Sequence, residues 1–282
     1  VENFHTPQWN ECRVYPTVNA IWNVNEHHLL NLSFSSNAEY PSYWSTMNSI
    51  HYSSTYSEIW GNPNLKPTSN YNLSLMWQLN KRYTFVAFAD FNPNFSVQLP
   101  YQPSDRFAVI MKTVNFDYRN SYGLQASAQF SAGQWLNGNV FVVGQYTNDK
   151  CDDFFDLPFN RGKFSVIAGG MASFLLSKNT NIRLMLNPFF QSDAIQGVYD
   201  IKNLFQLNAS LRWASADDKW NIILSGNNLT NSSFRLLSKY GNQDFYMKVR
   251  QNWITAQLSV IFKFGNYKRK NIKEVDTSRM GY

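Results

Sequence analysis

The chain has 282 residues and a formal net charge of +6, with 44% hydrophobic, 17% aromatic and only 16% charged residues. Its mean hydropathy is still −0.40, so apolar residues are mixed finely with Asn, Ser, Gln and Thr, and no run approaches the ~18 consecutive apolar residues of a membrane helix. That excludes a helical membrane protein. The basic excess falls in turns and in a C-terminal run (Lys268, Arg269, Lys270, Lys273, Arg279), so no nucleic-acid partner is expected.

The elements that follow in chain order are strands, because apolar and polar residues alternate with period two. Weaker segments begin near Val14 and Leu30, on either side of a short polar turn at 24–27. A long stretch, 36–68, leads to the first clear strand. There Tyr71, Leu73, Leu75, Trp77 and Leu79 alternate with Asn70, Asn72, Ser74, Met76 and Gln78. A short turn at 80–82 precedes a strand from Tyr83. A longer segment at 99–105 lies before the next, in which Tyr122, Leu124, Ala126, Ala128 and Phe130 alternate with Gly123, Gln125, Ser127 and Gln129.

Beyond the turn at 132–134 come strands from Leu136 and Phe164, separated by a long segment at 147–161. The turn at 177–180 opens a strand from Ile182, and 192–202 is again long. Phe205, Leu207, Ala209, Leu211 and Trp213 then alternate with Gln206, Asn208, Ser210 and Arg212. After the turn at 214–219 a strand starts at Trp220. A long segment at 237–246 separates it from the last strand, which carries Ile254, Ala256, Leu258, Val260 and Phe262 on one parity.

Successive strand side chains point to opposite faces, so each segment has one apolar and one polar face. The sequence therefore predicts about eleven strands. Many run to about ten residues, longer than the ~5–6 usual in soluble sheets and matched to a tilted bilayer crossing of ~9–11 residues. Short and long connections alternate, as in a barrel with short periplasmic turns and long outer loops. Trp22, Trp77, Tyr83, Trp213 and Trp220 flank the short turns on the apolar parity, where an aromatic girdle against outer-membrane lipid would lie. A soluble β-sandwich also alternates, but accounts for neither the strand length nor these ring positions.

With the short turns placed on the periplasmic side, the first and the eleventh strand both run toward the periplasm. Single-chain bacterial barrels have even strand numbers, and eleven is half of the 22 of plugged outer-membrane transporters. The expectation is all-β: the C-terminal portion of a transmembrane antiparallel β-barrel over 1–264, with a basic periplasmic tail over 265–282 and the plug domain absent. The chain opens at Val1 without a visible signal peptide, which reads as a mature or truncated sequence.

Three stretches carry a family resemblance. Gly61-Asn62-Pro63-Asn64-Leu65-Lys66-Pro67 resembles the motif that caps an outer loop before a descending strand in TonB-dependent outer-membrane receptors. Asn227-Asn228-Leu229-Thr230-Asn231 is similar to an element of their penultimate strand, with Thr230 in place of the usual aromatic. Phe262-Lys263-Phe264-Gly265 is similar to their last strand, and Phe262 and Phe264 are expected to carry any assembly signal. The resemblance covers the chain from about Gly61 onward, in the branch with a C-terminal outer-membrane β-barrel region. It implies import of a scarce nutrient (siderophore, cofactor, glycan or peptide). The TonB complex would be engaged through an N-terminal part absent here, and a surface lipoprotein is a candidate further partner.

No catalytic constellation, cofactor motif or metal site is expected. The pair His27-His28 lies in a short turn and reads as solvated. Asp149, Asp152, Asp153 and Asp156 read as a solvated acidic loop without the ordered ligand pattern of a Ca²⁺ site. Tyr43, Trp44, Tyr52, Tyr56 and Trp60, with Tyr40, crowd the long segment before Gly61. They are candidates for stacking on a sugar or planar ligand, or else for packing among themselves. The other functions weighed are a self-standing porin, an outer-membrane enzyme barrel and a soluble β-structured binding domain.

Overall fold

The structure, a computed structural model, describes residues 12–217, 219–250 and 253–264. Its strands, in order, are β1 (Thr17–Asn23), β2 (His28–Glu39), β3 (Ile50–Ser54), β4 (Ser57–Trp60), β5 (Thr68–Leu79), β6 (Tyr83–Pro93), β7 (Ser96–Tyr101), β8 (Val109–Asn115), β9 (Tyr118–Ala132) and β10 (Leu136–Cys151). They continue with β11 (Phe159–Ser177), β12 (Ile182–Gln191), β13 (Ala194–Gln196), β14 (Tyr199–Ile201), β15 (Leu204–Ala214), β16 (Trp220–Asn227), β17 (Phe234–Ser238), β18 (Phe245–Val249) and β19 (Thr255–Phe262). One helical turn, α1 (Tyr43–Thr46), precedes β3.

Eleven strands form one antiparallel meander in the order β1-β2-β5-β6-β9-β10-β11-β12-β15-β16-β19. This is the predicted set, and among the described residues its two edges are open. The register is sheared. A row of directly opposed residues starts at Trp22, one residue from the short-turn end of β1, and continues through Leu30, Trp77, Phe85, Ala126, Val142 and Ala168 to Phe190, one residue from the opposite end of β12. Every residue of that row is apolar. A shear of this kind accompanies the strand tilt of a barrel wall.

The apolar parity is bare. Leu75, Leu124, Phe164, Leu224 and Leu258 are all exposed, Leu124 to 69%. A sandwich would have packed this face against a second sheet, which decides between the two readings of the alternation. The opposite, inner parity carries Asn72, Gln125, Gln145, Ser173 and Ser210, in register across neighbouring strands.

The short connections are true turns. Leu79 accepts from the Arg82 amide at 3.0 Å, with Asn80 and Lys81 both at positive φ, the type I′ geometry that matches strand twist. At 24–27 the Asn25 carboxamide oxygen accepts from the backbone amides of His27 and His28.

The long connections differ from the expectation of open loop. The segment 36–68 holds the end of β2, α1 and the β3–β4 hairpin, and β7 overlaps 99–105. The segment 147–161 is largely strand, since β10 runs to Cys151 and β11 begins at Phe159. Of the remaining two, 192–202 contains β13 and β14, and 237–246 is the turn between β17 and β18. These extra strands build two four-stranded sheets, β3-β4-β8-β7 and β13-β14-β17-β18, at the same end of the meander.

The hydrophobic core lies between those sheets. Leu99, Ile110, Phe116, Phe154, Phe159 and Tyr199 are all buried there. Phe116 meets Phe159 edge to face at 5.0 Å. Phe159, Cys151 and Asp149 belong to the inner parity of β10 and β11, so this cap folds over the polar face of the wall. The residues 265–282, expected as a basic tail, lie outside the described residues.

Candidate functional site

The cap is tied to the wall by charge. Asp149 stands opposite Arg119 on β9 and Arg161 on β11. Its carboxylate, 0% exposed, accepts two bonds from the Arg119 guanidinium (2.7 and 2.6 Å) and a third from the Gly197 amide at 2.8 Å. The Arg119 guanidinium also lies over the Phe95 ring at 4.3 Å. Arg161 donates to the Gly197 carbonyl and to Asp200. Gly197 has φ +58, and a Cβ there would press on Leu99, Phe116 and Phe159, so glycine lets the turn reach the buried carboxylate.

Of the four acidic residues, Asp152, Asp153 and Asp156 are exposed, as expected, and Asp149 alone is buried. Asp149 is buried in a strand because it has three donors; Asp152 pairs with Lys150 at 2.7 Å and Asp156 accepts from the Tyr101 hydroxyl at 2.8 Å. Burial and the adjoining Asp156 push the Tyr101 phenol up to about 12. Burial also raises the Cys151 thiol to about 11, and both cysteines, Cys12 and Cys151, are free. Among the described residues no group of three or more His, Cys, Asp and Glu side chains is placed to hold a metal ion.

The two small sheets are joined by an amide clasp. Gln102 donates its backbone N–H to the Gln243 side chain at 2.7 Å, and Gln243 donates back to the Gln102 carbonyl at 3.0 Å. The Gln102 side chain accepts from the Asp244 amide, and the Tyr199 hydroxyl donates to the Pro100 carbonyl.

The proline-rich motif is built into this cap. A Cβ on Gly61 would fall 1.7 Å from the Met47 carbonyl oxygen, so only glycine allows that approach. Asn62 donates to the Thr113 carbonyl and its oxygen accepts from the Asn64 amide. Pro63 follows it in the turn, and Leu65 is buried at 1%. Lys66 is held through its backbone, which exchanges two bonds with the Asn115 side chain. Pro67 is buried beside Thr68. The motif clasps the β4–β5 connection onto β8 and aims β5 into the wall. Asn228, in the second motif, locks its own loop by side-chain bonds with Ser232.

Of the loop aromatics, Tyr43 and Trp44 form an exposed edge-to-face pair at 5.7 Å, and Tyr52 is exposed on β3. Tyr56, at the hairpin tip, meets Phe107 at 5.3 Å. Phe107 is the most exposed ring of the group, at 86%; in the sequence it opens the apolar run Phe107-Ala108-Val109-Ile110, which hides it as a strand start. Trp60 turns the other way, donates to Glu58 at 2.7 Å and packs against the cap core.

At the short-turn end, Trp77 lies between His28 (5.9 Å, with its indole N–H donating to His28 Nδ1 at 3.2 Å) and Phe85 (5.3 Å). His28 is thus a half-buried stacked ring, and His27 beside it is exposed. Trp22 and Trp220 are exposed, with Trp220 on Phe262 at 4.4 Å; Tyr83 and Trp213 are half-buried. Trp135, exposed in the third short turn, completes this row and was missed because its strand alternates weakly. Phe262 in turn contacts Phe264 at 6.4 Å.

Comparison with known proteins gives a consistent fold. The model of the outer membrane protein beta-barrel family matches residues 3–264. No curated protein sequence matches. Among solved structures, the FrpB iron transporter from Neisseria meningitidis (F3-3 variant) is similar with a TM-score of 0.55 at 16% identity, over 89% of this chain and 39% of its own. A mutant of the ferric enterobactin receptor PfeA from Pseudomonas aeruginosa, in complex with enterobactin, is similar with a TM-score of 0.53 at 11% identity, over 89% of this chain and 40% of its own. The chain thus spans about two fifths of these structures.

Proposed function

The chain belongs to the outer membrane protein beta-barrel family and resides in the outer membrane, and from that premise we propose that it is the C-terminal wall and outer cap of a TonB-dependent receptor importing a scarce nutrient. The observation that carries this reading is the odd, open meander. β1 and β19 are separated by ten antiparallel steps and so run in the same direction. Pairing them to each other would make a parallel seam, and an unpaired strand edge is not tolerated in hydrocarbon. An odd number of further strands restores an even, all-antiparallel barrel; eleven more would give 22.

The cap supports a receptor over an open pore, because its core folds across the inner face. The exposed pairs Tyr43–Trp44 and Tyr56–Phe107, with Tyr52, offer ring surface on the outer side, whereas Trp60 serves the cap. Trp22, Trp77, Tyr83, Trp213 and Trp220 would meet lipid headgroups at the periplasmic boundary. TonB would act through residues outside this sequence, and a surface lipoprotein would dock on the cap.

The test is the mass of the native gene product in detergent-extracted outer membranes, with nutrient uptake measured in a strain lacking TonB. A product more than twice the 32.8 kDa of this chain and TonB-dependent uptake are expected. A 32.8 kDa product that closes a pore alone would sink the reading.

A further inference from the structure

On the inner face, where β12 and β15 approach the cap, lies a cavity of about 280 Å³. Its floor is a cross-strand quartet in which Phe189 faces Gln206 and Gln191 faces Leu204. Its roof is the loop after β16, with Ser232, Ser233 and Phe234. Asn228 shapes that roof: its oxygen accepts from the Ser232 amide at 2.9 Å and hydroxyl at 2.6 Å. No charged side chain among the described residues lines the cavity. Arg235 and Lys248 line the adjoining recess instead, and Arg235 bonds Asn203.

The polar groups are only partly used. Gln206 spends its amide N–H on Asn208 at 3.3 Å, which leaves its oxygen as an acceptor. The side chains of Gln191 and Ser233, both half-buried, make no hydrogen bond among the described residues. A recess with amide donors and acceptors, hydroxyls and two phenyl rings, but no charge, suits a neutral molecule with many hydroxyls and an apolar C–H face. A carboxylate, phosphate or ferric catecholate would shed hydration there without a cationic partner. The volume is below the ~300–1,000 Å³ of pockets that enclose drug-sized ligands, so it takes one ring rather than a whole oligomer.

We propose that this cavity is a subsite for a single neutral sugar ring, and hence that the imported nutrient is a neutral glycan. The inference rests on the importer reading above and names its substrate class. Phe189 and Phe234 supply the apolar wall; Gln191, Gln206 and Ser233 bond the hydroxyls.

The experiment uses the full-length native receptor in detergent, with a panel of neutral gluco-, galacto- and manno-oligosaccharides, a glucuronate oligomer, a ferric catecholate and a neutral tetrapeptide. Saturable binding of at least one neutral oligosaccharide is expected, and Gln191→Leu and Gln206→Leu should each weaken it roughly three- to tenfold. Gln125→Leu, on the inner face of β9 away from the cavity, should leave it unchanged. Strongest binding of the catecholate, the glucuronate or the peptide, no binding of any neutral sugar by folded protein, or variants that bind like the parent would each overturn the proposal. Binding in detergent does not require TonB. Sugar binding with TonB-independent uptake would therefore sink the coupled importer alone, and TonB-dependent uptake without sugar binding would sink this inference alone.

Discussion

The wall and the cap are both β-structure, yet they use apolar residues in opposite ways. The wall exposes Leu75, Leu124 and Leu258 and keeps its amides and hydroxyls inward. The cap buries Leu99, Phe116, Phe154 and Tyr199 in a core of its own, as a soluble domain does. The difference is the solvent. In lipid an exposed Leu costs nothing and an unpaired backbone amide costs several kcal/mol, so the wall is held chiefly by its ladders. In water the cap depends on burial, at about 1.5–3 kcal/mol per large apolar side chain. Substitutions at matched positions should therefore have opposite signatures in the two regions.

The largest effects are expected in the cap. Phe116→Ala opens a cavity in its core, at a cost of ~3–5 kcal/mol. Asp149→Ala leaves the half-buried Arg119 without its carboxylate, with a similar loss of ~3–5 kcal/mol. In both variants the outer loops should become sensitive to protease added to intact membranes. The heat-modifiable gel mobility of the folded barrel should stay as in the parent. Loss of both together would mean that cap and wall fold as one unit.

Somewhat smaller effects test the wall. Leu75→Arg and Leu258→Arg place charge against hydrocarbon, at ~2–4 kcal/mol each near the midplane, and should reduce insertion into lipid vesicles. Asn72→Arg, on the inner face beside Asp90 (its present partner at 2.7 Å), should insert normally. Equal insertion yields for Leu75→Arg and Asn72→Arg would show that the apolar face does not meet lipid.

The wall was legible and the cap was not, for a physical reason. A wall strand meets lipid on one side and polar groups on the other along its whole length, so Tyr71 to Leu79 spells the pattern without interruption. A cap strand such as β4 is four residues long and pairs in parallel with β8, some fifty residues away; the Gln102–Gln243 clasp joins residues 141 apart. No local period encodes such pairings. Asp149 looked like its neighbours Asp152 and Asp153, and only its register opposite Arg119 and Arg161 reveals a buried ion pair. The Gly61–Pro67 motif was found as a loop cap, but the need for glycine appears only when the Met47 carbonyl is in place. Trp60 and Tyr56 looked alike in the sequence, and burial alone separates them.

A pH titration sharpens the comparison further. Tyr101 is held protonated to about pH 12 in the folded cap, against about 10 for a free phenol. A pKa raised on folding contributes stability that is intact below pH 10, falls as the unfolded form ionises first, and is gone above pH 12. The buried Tyr199, raised by the loss of hydration, acts in the same direction. Between pH 10 and 12 hydrogen exchange in β7 and β14 should therefore rise before exchange in β9 and β10. Tyr101→Phe should flatten the part of that dependence that belongs to β7; an unchanged profile in the variant would assign the loosening to other groups.

The smallest expected effect separates two tryptophans. Trp77 stacks between His28 and Phe85 at the proposed girdle, and Trp60 packs on Phe155 in the cap at 6.3 Å. Removing either costs about 0.5–1.5 kcal/mol of ring contact beyond its buried area. Their surroundings predict different readouts. A lipid carrying a quencher at headgroup depth should quench the fluorescence lost in Trp77→Ala, because the proposed girdle puts that ring at the membrane boundary. The emission lost in Trp60→Ala should be indifferent to the lipid quencher, and that substitution should instead slacken the Glu58–Arg106 pair, now at 2.9 Å, and speed proteolysis at the β3–β4 hairpin. Quenching of Trp60 by lipid would mean that the cap lies in the membrane rather than above it, and the division between the two regions would have to be redrawn.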